Sequence, residues 1–307
     1  MKRRTFFKST ALSSAGIMMS SNLAALSPES YSESDSYNIM KEVMKYRKIG
    51  AHEHVTLDGS NIDAQIDFAD RLGIDKLAIS RPIANPSQKA ASPEKFRKCN
   101  DSVLRAMKLH PDRYLGVLYI NPIYGKESLE EIKRCVDLGM VALKLYNQVK
   151  ISNPLFYPII EKFIDLNMII LMHSHCGLGV GGKRPKYGNI QPNASIPEDF
   201  VDAAKRYPEA MFQYAHTGGG SDWEYACKAM QNYPNIYVDT SGSNNNGNMI
   251  DYALKYLGED RLLFGTDTSY YQSVGTILAS NLTEAQKRKI FFENYNNILR
   301  KAGNHVH

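Results

Sequence analysis

Several things are scarce in this sequence, and each scarcity removes a class of protein. Only four cysteines occur in 307 residues. Cys99, Cys135, Cys176 and Cys227 stand far apart with no Cys-x-x-Cys pair, which argues against a zinc ribbon or a disulfide framework. They are expected to be free, buried, small apolar residues. Cys176 differs in adjoining a histidine cluster, yet no separate base pairs with it to make it a nucleophile. No segment reaches about 18 uninterrupted apolar residues, so no membrane span is expected in the mature chain. No Gly-x-Gly-x-x-Gly loop follows an early strand, and Gly218-Gly219-Gly220 lacks the Lys-Ser/Thr of a phosphate loop. Nor is there a dense Lys/Arg stripe interleaved with aromatics. The formal net charge of +5 includes Lys2, Arg3, Arg4 and Lys8, without which the chain is close to neutral. A nucleic-acid partner therefore has no electrostatic support.

What is present is an ordinary globular composition, 43% hydrophobic and 22% charged. The chain opens Met1-Lys2-Arg3-Arg4-Thr5-Phe6-Phe7-Lys8, followed by a short apolar stretch from Thr10 to Met19 and small residues ending Ala24-Ala25. Residues 1–26 resemble a twin-arginine export signal, which predicts a periplasmic or otherwise exported protein. Residues 27–45 are read as a linker leading into the fold, and 46–307 as the folded domain.

From there, β-rich apolar runs recur at intervals of about 25 to 40 residues, each followed by a helix-like stretch. The runs are Arg47–Val55, Lys76–Ser80, Tyr114–Ile120, Val141–Tyr146, Met168–His173, Met211–His216, Ile236–Thr240 and Leu262–Asp267. Amphipathic stretches separate them: Ile62–Leu72, Pro93–Leu109, Leu129–Leu138, Leu155–Leu166, Pro197–Tyr207, Asp222–Tyr233 and Asn248–Leu257, with Thr283–Ala302 last. Eight strands alternating with eight helices predict a parallel α/β sheet closed into a (β/α)8 TIM barrel, in preference to an open doubly wound sheet.

In such a barrel the carboxyl ends of the strands share one rim, where sites are built. His52 and His54 end the first run, Lys144 stands near the end of the fourth, and His173 and His175 end the fifth. His216 ends the sixth and Asp267 the eighth. Residues two apart on a strand point the same way, so His52 and His54 aim into one space. Neutral imidazoles with a carboxylate suit one divalent metal, zinc first, with room for water at an open position. A second ion is left open, since Lys144 is either an ordinary barrel-mouth lysine or a carbamylated bridge. Asp267 can hold the water and accept its proton. His175, Arg81, Tyr146 and Arg184 are candidates to contact substrate. The basic Lys183, Arg184 and Lys186 of the long 177–194 loop would suit an anionic small molecule. His110, His305 and His307 are assigned no role.

Four short motifs, taken in order, resemble the amidohydrolase superfamily, and within it the branch that includes aminocarboxymuconate semialdehyde decarboxylase. They are Ile49-Gly50-Ala51-His52-Glu53-His54, Ile170-Leu171-Met172-His173-Ser174, Tyr214-Ala215-His216-Thr217-Gly218-Gly219 and Leu263-Phe264-Gly265-Thr266-Asp267. The resemblance implies His52, His54, His173 and Asp267 as metal ligands, with His216 a nearby acid/base or second-site ligand. Gly50 stands where the family often has an aspartate. Three functions follow as expectations. The first is hydrolysis of a small ester, lactone or amide by a metal-activated water. The second is non-oxidative decarboxylation of a small unsaturated or aromatic acid. The third is a non-catalytic metal- or ligand-binding barrel.

Overall fold

A computed structural model describes residues 38–174, 193–217, 223–242 and 248–307. The export signal, residues 27–37 of the linker, His175, Cys176 and the basic loop residues Lys183, Arg184 and Lys186 lie outside the described residues. Ile39–His307 is one unit, and within it every expected strand is found. These are β1 (Lys48–His54), β2 (Ile74–Ser80), β3 (Tyr114–Tyr119), β4 (Ala142–Leu145), β5 (Ile169–Met172), β6 (Met211–Tyr214), β7 (Ile236–Asp239) and β8 (Leu262–Leu263). They form one sheet in sequence order, each pairing its successor in parallel. Beyond β8 the chain returns to β1 through Ala51 N–H to Phe264 O (2.8 Å) and Asp267 N–H to His52 O (2.9 Å), which draws the sheet into a barrel.

Alternation along the strands sorts side chains into two layers. Ile49, Ala51, Ala78, Val117, Ala142, Ile169, Met211 and Leu263 form the interior cluster, closed below by Tyr295, Ile298 and Leu299. Leu77, Ile79, Leu118, Leu143, Ile170, Phe212, Val238 and Leu262 face the helices. The pairing of β1 with β2 shifts register twice, between Lys48 and Ile49 and between Gly50 and Glu53, and the second shift breaks the alternation of β1. Gly50 pairs with Leu77 and Glu53 with Ile79, so three steps of β1 oppose two of β2. This bulge brings Gly50 and Glu53 to the helix-facing side and turns His52 and His54 to the side that Ile49 and Ala51 began.

The helices are α1 (Ile39–Met44), α2 (Ile62–Leu72), α3 (Pro93–Leu109), α4 (Gly125–Asp137), α5 (Tyr157–Asp165), α6 (Pro197–Arg206), α7 (Trp223–Met230), α8 (Met249–Leu257), α9 (Tyr270–Ala279), α10 (Glu284–Arg288) and α11 (Asn294–Lys301). Proline begins α3 and α6, where its missing N–H is harmless. Two features depart from expectation. The stretch Thr283–Ala302 is not one helix, because a π turn at Lys289–Glu293 separates α10 from α11, and the Ile290 carbonyl accepts from Phe264 N–H (3.0 Å). Helix α9 was not anticipated; its Val, Thr, Ile and Gly residues are weak helix formers, and only the burial of Tyr270, Ser273, Val274 and Ile277 shows its periodicity. Among the described residues no helix is long and apolar enough to cross a membrane. Cys99, Cys135 and Cys227 are free and buried.

Candidate functional site

Every strand but β3 delivers a polar group, on it or just after it, to one locus. His52, fully buried on β1, is held through Nδ1 by Asp239 Oδ2 at 3.0 Å, at the end of β7. Since Asp239 is ionised, Nδ1 carries the proton and Nε2 presents its lone pair. That lone pair meets Lys144 Nζ at 2.7 Å. His54 is placed by two contacts: Nδ1 lies 3.0 Å from Ser80 Oγ, and Nε2, on the pocket side, donates to the ionised Asp267 Oδ1 at 3.0 Å. Ligand atoms of His52, His54 and Asp267 lie within 4.8 Å of one another, as do those of His52, His216 and Asp239.

A second pair adjoins the first. His216 leaves β6 with φ +64°, a left-handed conformation uncommon outside glycine. Its N–H donates to Asp239 Oδ1 (3.0 Å), which anchors the turn. Its Nδ1 meets Ser241 Oγ at 3.0 Å and stands 3.6 Å from Asp267 Oδ2. Its Nε2 meets His173 Nδ1 at 3.0 Å. His173 in turn stacks on Tyr146, ring centroids 4.3 Å apart. Of the four expected ligands the structure thus joins three directly, while His173 is linked to the group through His216.

Burial controls the charges. It lowers His54 to about 4 and His216 to about 3, and nearby positive charge adds to the effect. Burial, then His216 and Lys144, takes His173 well below the ordinary range. All three are neutral at pH 7, the form that binds metal. Burial also lowers the Lys144 ammonium to about 8, against the pull of Asp267 and Asp239. Burial alone would raise Asp267 and Asp239, but the surrounding imidazoles hold both well below the carboxylate range.

These residues fit a divalent ion. Both His52 and His54 turn Nε2 to the pocket, and a cation, the Lys144 ammonium, already stands at the His52 lone pair; an ion between His54 and Asp267 would replace the proton they share. Lys144 is the penultimate residue of β4 and points inward with Ala142.

At the edges of the locus, Arg81 follows β2, with one guanidinium N–H on Pro82 O (3.0 Å) and Nε buried without a partner. Asn147, fully buried two residues past β4, has a side-chain amide without partners at either end. His110 caps the far end of α3, and His305 pairs with His307 in the tail, centroids 4.5 Å apart.

Sequence reasoning missed the groups that hold the ligands in place. Asp239 was legible only as an acidic residue ending an apolar run. Ser80, and Gln213 Nε2, which donates to Asp239 Oδ2 at 2.9 Å, gave no signal. Glu53 was passed over as the spacer between two histidines.

Comparison with known proteins agrees with this fold. The family model described as Amidohydrolase matches residues 49–294. No curated protein matches the chain significantly. Among solved structures, the 2,6-dihydroxybenzoate decarboxylase from Rhizobium superposes with a TM-score of 0.68 at 19% identity, covering 84% of this chain and 100% of that one. A dihydroxybenzoic acid decarboxylase from Polaromonas sp. JS666, solved with bound manganese and the inhibitor 2-nitroresorcinol, gives 0.66 at 17% identity, over 83% and 97%. The 4-oxalomesaconate hydratase from Rhodopseudomonas palustris gives 0.64 at 20% identity, over 83% and 96%.

Proposed function

The chain belongs to the amidohydrolase family, and from that premise we propose that it is a metal-dependent, non-oxidative decarboxylase of a small hydroxylated aromatic or unsaturated acid. The observation that carries this reading is a metal position beside a buried ammonium: His52 Nε2 faces both the Lys144 ammonium at 2.7 Å and the ligand atoms of His54 and Asp267, so a divalent ion held there would stand next to a second positive group. An anionic acid binds where cations gather. As its carbon dioxide leaves, the electron pair stays on the substrate carbon, and the same positive field stabilises it. Full-length likeness to two decarboxylases of hydroxylated aromatic acids supports the reading.

A divalent ion held by His52, His54 and Asp267 would supply a fixed charge for the acid's oxygens; zinc suits the nitrogen-rich donors, and the manganese of the Polaromonas enzyme makes manganese the other ion to load. Asp239 and Ser80 keep both imidazoles aimed at that position. His216 and Asp267, 3.6 Å apart, form the proton-handling pair that returns a proton to the carbon vacated by carbon dioxide. Tyr146, stacked on His173, and Arg81 and Asn147, with buried polar atoms left without partners, are the side chains that would contact an anionic ring.

The test is to load the protein with zinc or manganese and offer hydroxybenzoates, unsaturated acids and a panel of esters, lactones and amides in water enriched in deuterium and oxygen-18. Carbon dioxide release with deuterium at the vacated carbon is expected. Hydrolysis of an ester, lactone or amide is the second reading, supported by the family's own description. Uptake of water oxygen into a carboxylate product, without carbon dioxide, would overturn the first reading in favour of the second. We further propose export through the paired Arg3 and Arg4: replacing both with lysine should leave the precursor in the cytoplasm.

A further inference from the structure

Between the two strand-one histidines stands a fully buried carboxyl that the chemistry above does not use. Glu53 is turned to the helix side of the barrel wall by the bulge in β1. There its Oε1 accepts from Thr266 N–H (3.1 Å) and its Oε2 from Thr266 Oγ1 (2.5 Å). Both donors belong to the residue just before Asp267. That segment needs holding, because Asp267 at φ +46° and Thr268 at φ +74° are two consecutive non-glycine residues in the left-handed region. Such backbone persists only where its surroundings over-determine it.

A second, independent observation lies three residues earlier. A Cβ added at Gly50 would sit 2.6 Å from Glu53 Oε1 and 3.2 Å from Leu77 Cδ2. The space a side chain at 50 would fill is the space the carboxyl occupies. Gly50 adopts no positive φ, so its lack of a side chain is explained by that occupancy and not by backbone conformation.

We propose that Glu53 is a positioning residue that clamps the Thr266–Asp267–Thr268 corner from outside the barrel wall, and that Gly50 is the seat which admits it. Through the clamp, Asp267 is presented to His54 and to the metal position. The inference rests on the proposed metal site for its functional meaning, but the clamp itself is a property of the metal-free chain.

The experiment is a double-mutant cycle of Gly50→Ala and Glu53→Ala, read two ways. In metal-free protein, the amide protons of Thr266 and Asp267 should exchange about 10-fold faster or more in Glu53→Ala, while those of Ile170 in β5 keep their protection. In titrations with cobalt(II) alone, Glu53→Ala should bind about 10- to 100-fold more weakly, the range for loss of a group that orients a ligand, with a shifted visible spectrum. Gly50→Ala should reproduce both effects, yet add less than about 2-fold in the Glu53→Ala background. Should Glu53→Ala not fold, Glu53→Gln, which keeps one accepting oxygen, should give intermediate values of both readouts. Unchanged exchange at Thr266 and Asp267, or effects of the two substitutions that simply multiply, would overturn the clamp. Wild-type protein that takes up no cobalt would instead sink the metal reading, and faster exchange in the variant would still uphold the clamp.

Discussion

An imidazole offers a metal only the nitrogen that its other nitrogen leaves free, so the buried Asp239 governs what His52 can do. Asp239→Asn keeps the shape but can turn its NH2 towards His52 Nδ1, which would move the proton to Nε2. Metal affinity should fall about 10- to 100-fold, measured by competition with a chelator; affinity within a factor of two of wild type would show that His52 is oriented by something else. Asp267 acts differently. Its change to Asn keeps an oxygen for the ion and removes the basicity, so turnover should fall about 100-fold or more. Metal content should fall far less than in His52→Ala. Near-normal turnover in Asp267→Asn would place the proton chemistry elsewhere on the rim. The ligand residues themselves were legible because each stands at or just beyond a strand end. Their supports were not, because Asp239, Ser80, Gln213 and Glu53 act through contacts 26 to 213 residues away in the chain.

At the level of elements, the strands were readable to within a few residues because β-branched and aromatic runs cannot be amphipathic helices over so short a length. The bulge in β1 was not readable. Strict alternation places His52 and His54 on one face whichever way the strand begins, but it cannot say which face; the extra residue between Gly50 and Glu53 turns that face inward. Helix caps were more accessible. Thr283 and Gln286 form the anticipated capping box, with Thr283 N–H to Gln286 Oε1 at 2.9 Å and Gln286 N–H to Thr283 Oγ1 at 3.2 Å. Thr283→Ala should lower stability by about 1 kcal/mol and leave metal affinity untouched, because α10 stands outside the barrel wall. Denaturant unfolding with a parallel cobalt titration checks both halves of that expectation.

For the molecule as a whole, the rim is a store of protons refused. His54 is lowered to about 4 and His216 to about 3 from an ordinary value of 6.5, so the folded chain binds these protons less tightly than the unfolded chain. Their stabilisation is complete above about pH 6.5 and is lost as pH falls towards those values. For His54 alone this amounts to about 2–3 kcal/mol between pH 6.5 and 4.5. Metal-free protein should therefore melt progressively lower across that window, and His54→Gln should flatten the slope; a melting temperature independent of pH would contradict the buried, neutral cluster. The physical origin of this behaviour also separates what each level of description determined. Hydrophobic period, proline and capping signals, and histidines at strand ends are local, and by themselves they determined a (β/α)8 barrel with His52, His54, His173, His216, Lys144 and Asp267 on one rim. Tertiary structure decided the rest. It set which nitrogen of His52 is free, that His173 bonds His216, that the Lys144 ammonium stands at His52, and that Glu53 fills the space beside Gly50. Those depend on barrel closure, which brings β1, β7 and β8 together, and on the low polarity of the interior, which makes each buried charge answer to its nearest neighbours.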